Sequence, residues 1–255
     1  MEEINYTEIN RKSWNNRVDA HVQSDFYDLK GFKEGKSSLK EIEIALLGDV
    51  KGKSILHLQC HFGQDSISLA RMGARVTGVD LSDKSIAVAK ALNDELGTDA
   101  EFICCNIYDL PAHLTKSFDY VFTSYGTIGW LPDLDKWAGI IAQYLTPGGQ
   151  FIFAEFHPVV WMFDDAFKNI AYTYHNSGAL LEYETGTYAN KEAEIAQSYV
   201  MWNHGMAEVI QALIQSGLHL TDIQEYTYSP WNCFQHTVEI APNKFQIQHL
   251  GDKIP

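Results

Sequence analysis

Apolar positions between Lys53 and Ile240 follow two rhythms. Short apolar runs at SILHLQ (54–59), ARVTGVD (74–80), AEFICC (100–105), SFDYVFTS (117–124) and QFIFAEF (150–156) read as strands. Helical patterns separate them. QDSISLARMG (64–73) sets Ile67, Leu69, Ala70 and Met72 inside a helix that Gly73 stops. Ser82 caps the next helix, with Asp83 in its first turn and Ile86, Ala89 and Ala91 following. A third runs through DLDKWAGIIAQYL (133–145) and breaks at Pro147-Gly148-Gly149. Strands alternating with helices predict an α/β fold: a doubly wound, mostly parallel sheet covered on both faces.

After His157-Pro158 the rhythm changes. Residues 159–202 are rich in Tyr and Thr, with period-two stretches such as AYTYH (171–175), and read as an extended insertion or cap. The helical pattern returns over 203–217, where Met206, Val209, Ile210, Leu213 and Ile214 share a face and Gly217 ends it. LHLTDIQEYTY (218–228) and CFQHTVEIA (233–241) then read as two final strands. The short SPWN link makes that pair antiparallel and brings the sheet to seven strands. The first fifty residues are polar apart from Trp14, Val18 and Val22, a narrow helical stripe expected to lie over the sheet's edge.

In such a sheet, ligands bind beyond the carboxyl ends of the strands where the order reverses. The turn after the first strand and the acid ending the second, Asp80, should face that crevice. An acid there accepts hydrogen bonds from a ribose diol. The alternative reading of Asp80 is a helix cap, but Ser82 already fits that task. The turn itself, in SILHLQCHFG (54–63), is unusual. Positions where a nucleotide-binding turn carries glycine hold Gln59 and His61. Their side chains would intrude on a pyrophosphate, which needs bare backbone close by.

The series ILHLQCHFG, GARVTGVDLS, FICCNIYDLP, FDYVFTSYGTIGWLPD and YLTPGGQFIFAEF resembles the class I S-adenosylmethionine-dependent methyltransferases over residues 53–157. The family's first turn usually reads hydrophobic-Asp-hydrophobic-Gly-Cys-Gly-x-Gly. Here His57 replaces the acid, Gln59 and His61 replace two glycines, and only Cys60 and Gly63 match. The second motif is intact at Val79-Asp80-Leu81-Ser82. The adenine-contacting acid maps onto Asn106, whose side-chain oxygen can still accept a hydrogen bond.

The resemblance implies a Rossmann-like methyltransferase fold with S-adenosyl-L-methionine as cofactor. It implies four regions: an N-terminal helical cap (1–50), the cofactor-binding core (51–158), an insertion forming the substrate cap (159–202) and the C-terminal part of the core (203–255). The cofactor residues it implies are Trp14, Gln59, Cys60, His61, Gly63, Asp80, Leu81, Asn106, Ile107 and Ser124. Such a ligand has no phosphate, and its amino-acid tail tolerates a turn lined by side chains. Gln59 would accept from its ammonium, and His61 would reach its carboxylate. Trp14 would lie over the cofactor.

Composition narrows the acceptor. The chain has 255 residues, 45% apolar, enough for one large domain. A net charge of −14 argues against nucleic acid and anionic membranes as partners. The sequence opens on MEEINYTEIN, without the pattern of a signal peptide, and no apolar run reaches a membrane span. Cys60, Cys104, Cys105 and Cys233 form no Cys-x-x-Cys, which fits reduced thiols in the cytoplasm, and no histidine pair has metal-ligand spacing.

A small-molecule acceptor, methylated on oxygen or nitrogen, is therefore expected. His157, just past the fifth strand, His204 and Glu155 are the candidate bases. Each histidine has a structural alternative as well. A non-catalytic S-adenosyl binding module is the rival reading, and a nicotinamide oxidoreductase a more distant one.

Overall fold

The computed structural model describes residues 5–255. Its sheet has five parallel strands: β1 (Ser54–Leu58), β2 (Arg75–Asp80), β3 (Glu101–Cys104), β4 (Phe118–Ser124) and β5 (Leu145–Ala154). The order is β3-β2-β1-β4-β5, so the chain reverses direction across the sheet between β1 and β4. Every residue of Ile55–Leu58 is buried, as a strand covered on both faces requires. Leu56 and Leu58 pack toward Trp137 and Ile141 of α6 (Leu134–Tyr144) and Val209 of α7 (Met206–Gln215). Ile55 faces the other way, into a cluster with Ile67 of α4 (Gln64–Arg71) and Ile86 of α5 (Asp83–Leu96). Phe32 of α2 (Leu29–Lys33) and Leu47 of α3 (Glu41–Leu47) complete that layer.

The insertion folds as an antiparallel hairpin, β6 (Leu180–Thr185) with β7 (Ala196–Met201). It packs on α1 (Tyr6–Val22). Here the apolar-stripe reading of the N-terminus is corrected. The face that α1 buries is Asn10, Ser13, Arg17, Val18 and His21, mostly polar, because its contacts with the hairpin are hydrogen bonds rather than apolar packing.

The seven-strand expectation is also corrected. Among the described residues, 218–228 form no strand and stay largely exposed, Leu220 by 55% and Ile223 by 53%. Alternation alone gave that segment its strand character, but no neighbouring backbone pairs with it. Part of the expected last strand, β8 (Thr237–Ala241), turns back on β9 (Lys244–Ile247) as a separate hairpin.

Candidate active site

The switch point between β1 and β4 opens into a cavity of about 890 Å³. Its floor is the β1–α4 turn. Gln59 and His61 adopt φ of 54° and 52°, the left-handed conformation that glycine adopts freely. The turn thus keeps a glycine-like path with side chains on it, at a local cost on the order of 1 kcal/mol for each residue. Gly63, at φ 82°, has no such freedom to change: a Cβ there would lie 2.7 Å from the Phe102 ring and 2.9 Å from Ala89 Cβ. Gly78 on β2 meets the same ring, with 2.9 Å to a Cβ.

Asp80 ends β2 beside this turn. Its Oδ2 accepts from His61 N (2.8 Å) and its Oδ1 from Ser82 N (2.8 Å). Burial raises its pKa to about 6 despite those bonds. Each oxygen keeps a second lone pair directed to other donors. Leu81, Ile107 and Cys60 line the cavity nearby, and burial holds the Cys60 thiol far from ionisation.

Residues 55–149 match the family model described as a methyltransferase domain. A ubiquinone biosynthesis O-methyltransferase from Chromobacterium violaceum is 32% identical over 105 residues, 41% of this chain and 45% of that protein. One of the same name from Xanthomonas euvesicatoria is 26% identical over 217 residues, 83% of each chain. A solved S-adenosylmethionine-dependent methyltransferase from Mesorhizobium loti superimposes with a TM-score of 0.54 at 21% identity, over 76% of this chain and 87% of that one. Residues 55–149 are a methyltransferase domain, and the fold is that of solved S-adenosylmethionine-dependent methyltransferases.

The methyltransferase cavity fits its cofactor on an observation independent of the match. Gln59 donates through Nε2 to Thr127 O (2.9 Å), and its Oε1 is buried without a partner. An ammonium at the cofactor's tail satisfies such an orphaned acceptor. Asp80, Leu81 and Ile107 line the same cavity beside it. Trp14 lines the same cavity, edge-on to His61 and Trp130, with ring centroids 5.1 Å apart in each case. Ser124, at the end of β4, also lines it and contacts Asp65 at 3.4 Å.

Other expected roles meet different surroundings. Both nitrogens of His61 are engaged, by His21 and by Ser85, so its ring is not free for a carboxylate. The cationic side chain beside it is Arg17, 3% exposed and also lining the cavity. Asn106 turns its oxygen to Tyr108 N (3.0 Å), capping a 3-10 helix, and its amide to Thr7 (3.4 Å). Glu155 faces the cavity, but its carboxylate accepts from the backbone N–H groups of Gly126, Thr127, Ile128 and Phe156. It clamps the loop after β4. Burial raises its pKa, against these bonds.

His157 and His204 lie outside the cavity lining. His157 caps a 3-10 helix through Val159 N and pairs with Glu225 at 2.9 Å. Pro158 starts that helix and turns the imidazole away from the crevice. His204 is fixed between Leu131 O (2.8 Å) and Glu208 (2.9 Å). The sequence reading missed Arg17 and His21 on α1, and also Glu43, a carboxylate with no exposed surface that accepts from the Tyr125 hydroxyl at 2.8 Å. A polar stripe at 10, 13, 17 and 21, with helical spacing, was the available signal for the first two.

Proposed function

We propose that this protein transfers the methyl group of S-adenosylmethionine to an oxygen or nitrogen of a small-molecule acceptor. The observation that carries the acceptor class is the cavity itself. It runs from the cofactor turn, under α1 and the β6–β7 hairpin, to a chamber lined by Phe156, Trp161 and Phe234. Such a concave chamber, with aromatic and charged side chains on its walls, suits a small ligand. An ordered chamber beyond the cofactor positions also favours an enzyme over a binding module. The left-handed Gln59 and His61 keep side chains where a dinucleotide needs bare backbone.

When bound, the cofactor supplies an electrophilic methyl on a sulfonium. The protein's part is alignment and exclusion of water. Gln59 would hold the cofactor's amino-acid tail and Asp80 its ribose, and Glu155 fixes the 126–128 loop beside them. Burial keeps the Tyr27, Tyr125 and Cys233 protons in place, the thiol's pKa raised to about 12. None of these groups is tuned as a base near neutrality. The reading therefore expects an acceptor that is nucleophilic without a strong protein base, such as an amine or a readily ionised hydroxyl.

Calorimetry with S-adenosylhomocysteine, followed by a screen of metabolite pools for a cofactor-dependent gain of one methyl group, tests it. Binding without any methylated product would return the protein to the class of binding modules. No binding would end the proposal.

A further inference from the structure

The cavity's roof is tied to its floor by a buried chain of imidazoles, next to a Tyr27–Tyr188 hydroxyl contact. His61 Nδ1 meets Ser85 Oγ at 3.0 Å, and His61 Nε2 meets His21 Nδ1 at 2.9 Å. His21 Nε2 in turn meets Thr187 Oγ1 at 2.8 Å. The four residues come from the cofactor turn, α5, α1 and the turn between β6 and β7. His21 has no exposed surface and Thr187 is 2% exposed. Burial keeps both rings neutral, with pKa values lowered to about 3 for His61 and about 2 for His21. Two neutral imidazoles each carry one N–H, so the chain closes with every nitrogen used.

The β6–β7 hairpin is bonded directly to α1. The Asn10 side-chain amide donates to Val200 O and accepts from Val200 N, and Arg17 pairs with Glu184 at 2.7 Å. Outside the histidine chain, α1 is fastened to α5 by polar links: Arg11 and Asn15 to Asp83, Asn15 to Ser82, and Asp19 to Lys84. Most of these links are exposed, and exposed charge pairs contribute little.

We propose that α1 and the β6–β7 hairpin form a lid, and that His61 is a positioning residue that latches this lid to the cofactor turn through His21 and Thr187. This explains why a strained left-handed position holds an imidazole where glycine would relax the backbone. The inference builds on the methyltransferase reading for what the lid encloses, but the latch is a property of the protein without ligand.

Amide hydrogen exchange on the ligand-free protein tests it. His61→Asn keeps a residue tolerant of left-handed backbone but too short to span Ser85 and His21. Thr187→Val cuts the same chain at its far end. Each should speed exchange across 180–201 by about tenfold or more while β1 stays protected. The double variant should be no faster than either single one, since a chain cut once is already open. Unchanged hairpin exchange in both single variants, or effects that multiply in the double, overturns the latch. If β1 loses protection in His61→Asn, Thr187→Val decides by its reach: that variant also loses the Ala189 N–H bond within the turn, so faster exchange along the whole of 180–201 upholds the latch, and a change confined to the turn, or native exchange, refutes it. Calorimetry with S-adenosylhomocysteine is a separate arm. Failure of the wild type to bind it would sink the functional proposal and leave the exchange result standing on its own.

Discussion

The sheet core and the roof are held together by different physics. In the core, Leu56, Leu58, Val121 and Phe122 have no exposed surface, and their partners are other apolar side chains. The roof buries Val18 and Val200 too, but around them it also buries Asn10, Ser13, Arg17, His21 and Thr187, whose partners are hydrogen-bonding atoms. Apolar burial is non-directional and tolerates some repacking, whereas a buried polar group depends on a particular partner. The core is therefore expected to set stability, and the roof to set access and geometry.

The largest test of that contrast is in the core. Phe122→Ala should cost about 3–5 kcal/mol in urea unfolding, by lost burial and the cavity left behind. A loss below about 1 kcal/mol would mean that the sheet is not the stabilising centre. Asp80→Ala should weaken S-adenosylhomocysteine binding by about 2–4 kcal/mol in calorimetry, through lost charge-assisted hydrogen bonds. Unchanged affinity would remove Asp80 from the ribose site.

Acidity separates the regions next. His57, His61 and His21 have pKa values lowered by burial to about 4, 3 and 2. Below the unfolded value of 6.5, the unfolded chain takes up protons that the native state refuses. Stability is thus full above that value and falls as the pH drops, by about 1 kcal/mol for each histidine at pH 5.5. Asp80, raised to about 6, works in the opposite sense and regains part of the loss as it protonates. The denaturation midpoint should still be lower at pH 5.5 than at pH 7.5. A flat profile would mean that the three rings are not held neutral by burial.

Smaller effects belong to the roof. Arg17 lies within 5.1–5.5 Å of the Trp14, Trp130 and Tyr199 rings and pairs with Glu184. Arg17→Met should cost about 1–3 kcal/mol and loosen the hairpin more than the sheet in hydrogen exchange. Equal loosening of both would erase the distinction between the regions. At the bottom of the scale, Lys36→Ala removes an exposed partner of Asp28 and should leave the melting temperature unchanged.

The same contrast explains what the sequence could show. Apolar rhythm is visible residue by residue, so ARVTGVD announces a strand that the structure has at Arg75–Asp80. Ser82 announces a cap, and its hydroxyl accepts from Ser85 N. The acid closing β2 was legible because strand ends in this topology all face one crevice. The direction of a single side chain just past a strand was not. His157 follows β5 as expected, yet the 3-10 helix starting at Pro158 aims it at Glu225. The roof was illegible for a related reason. Polar residues at 10, 13, 17 and 21 read as a solvated face unless the partners that bury them, more than 160 positions away for Asn10, Arg17 and His21, are known. LHLTDIQEYTY fails in the opposite direction, since alternation records a preference and pairing requires a neighbour.

The Phe102 ring carries a consequence for how relatives of this chain can vary. It fills space left free at both Gly63 and Gly78, each of which would place a Cβ within 2.9 Å of it. Three positions on three different elements thus share a single volume. A lineage that keeps the ring is confined to glycine at both, and one that trims it must still move Ala89 to admit a Cβ at 63 or Cys60 to admit one at 78, each 2.9 Å from the added atom. Positions 63, 78 and 102 should accordingly drift as a linked set, and a correlated change among them would mark contact through the floor of the cofactor site.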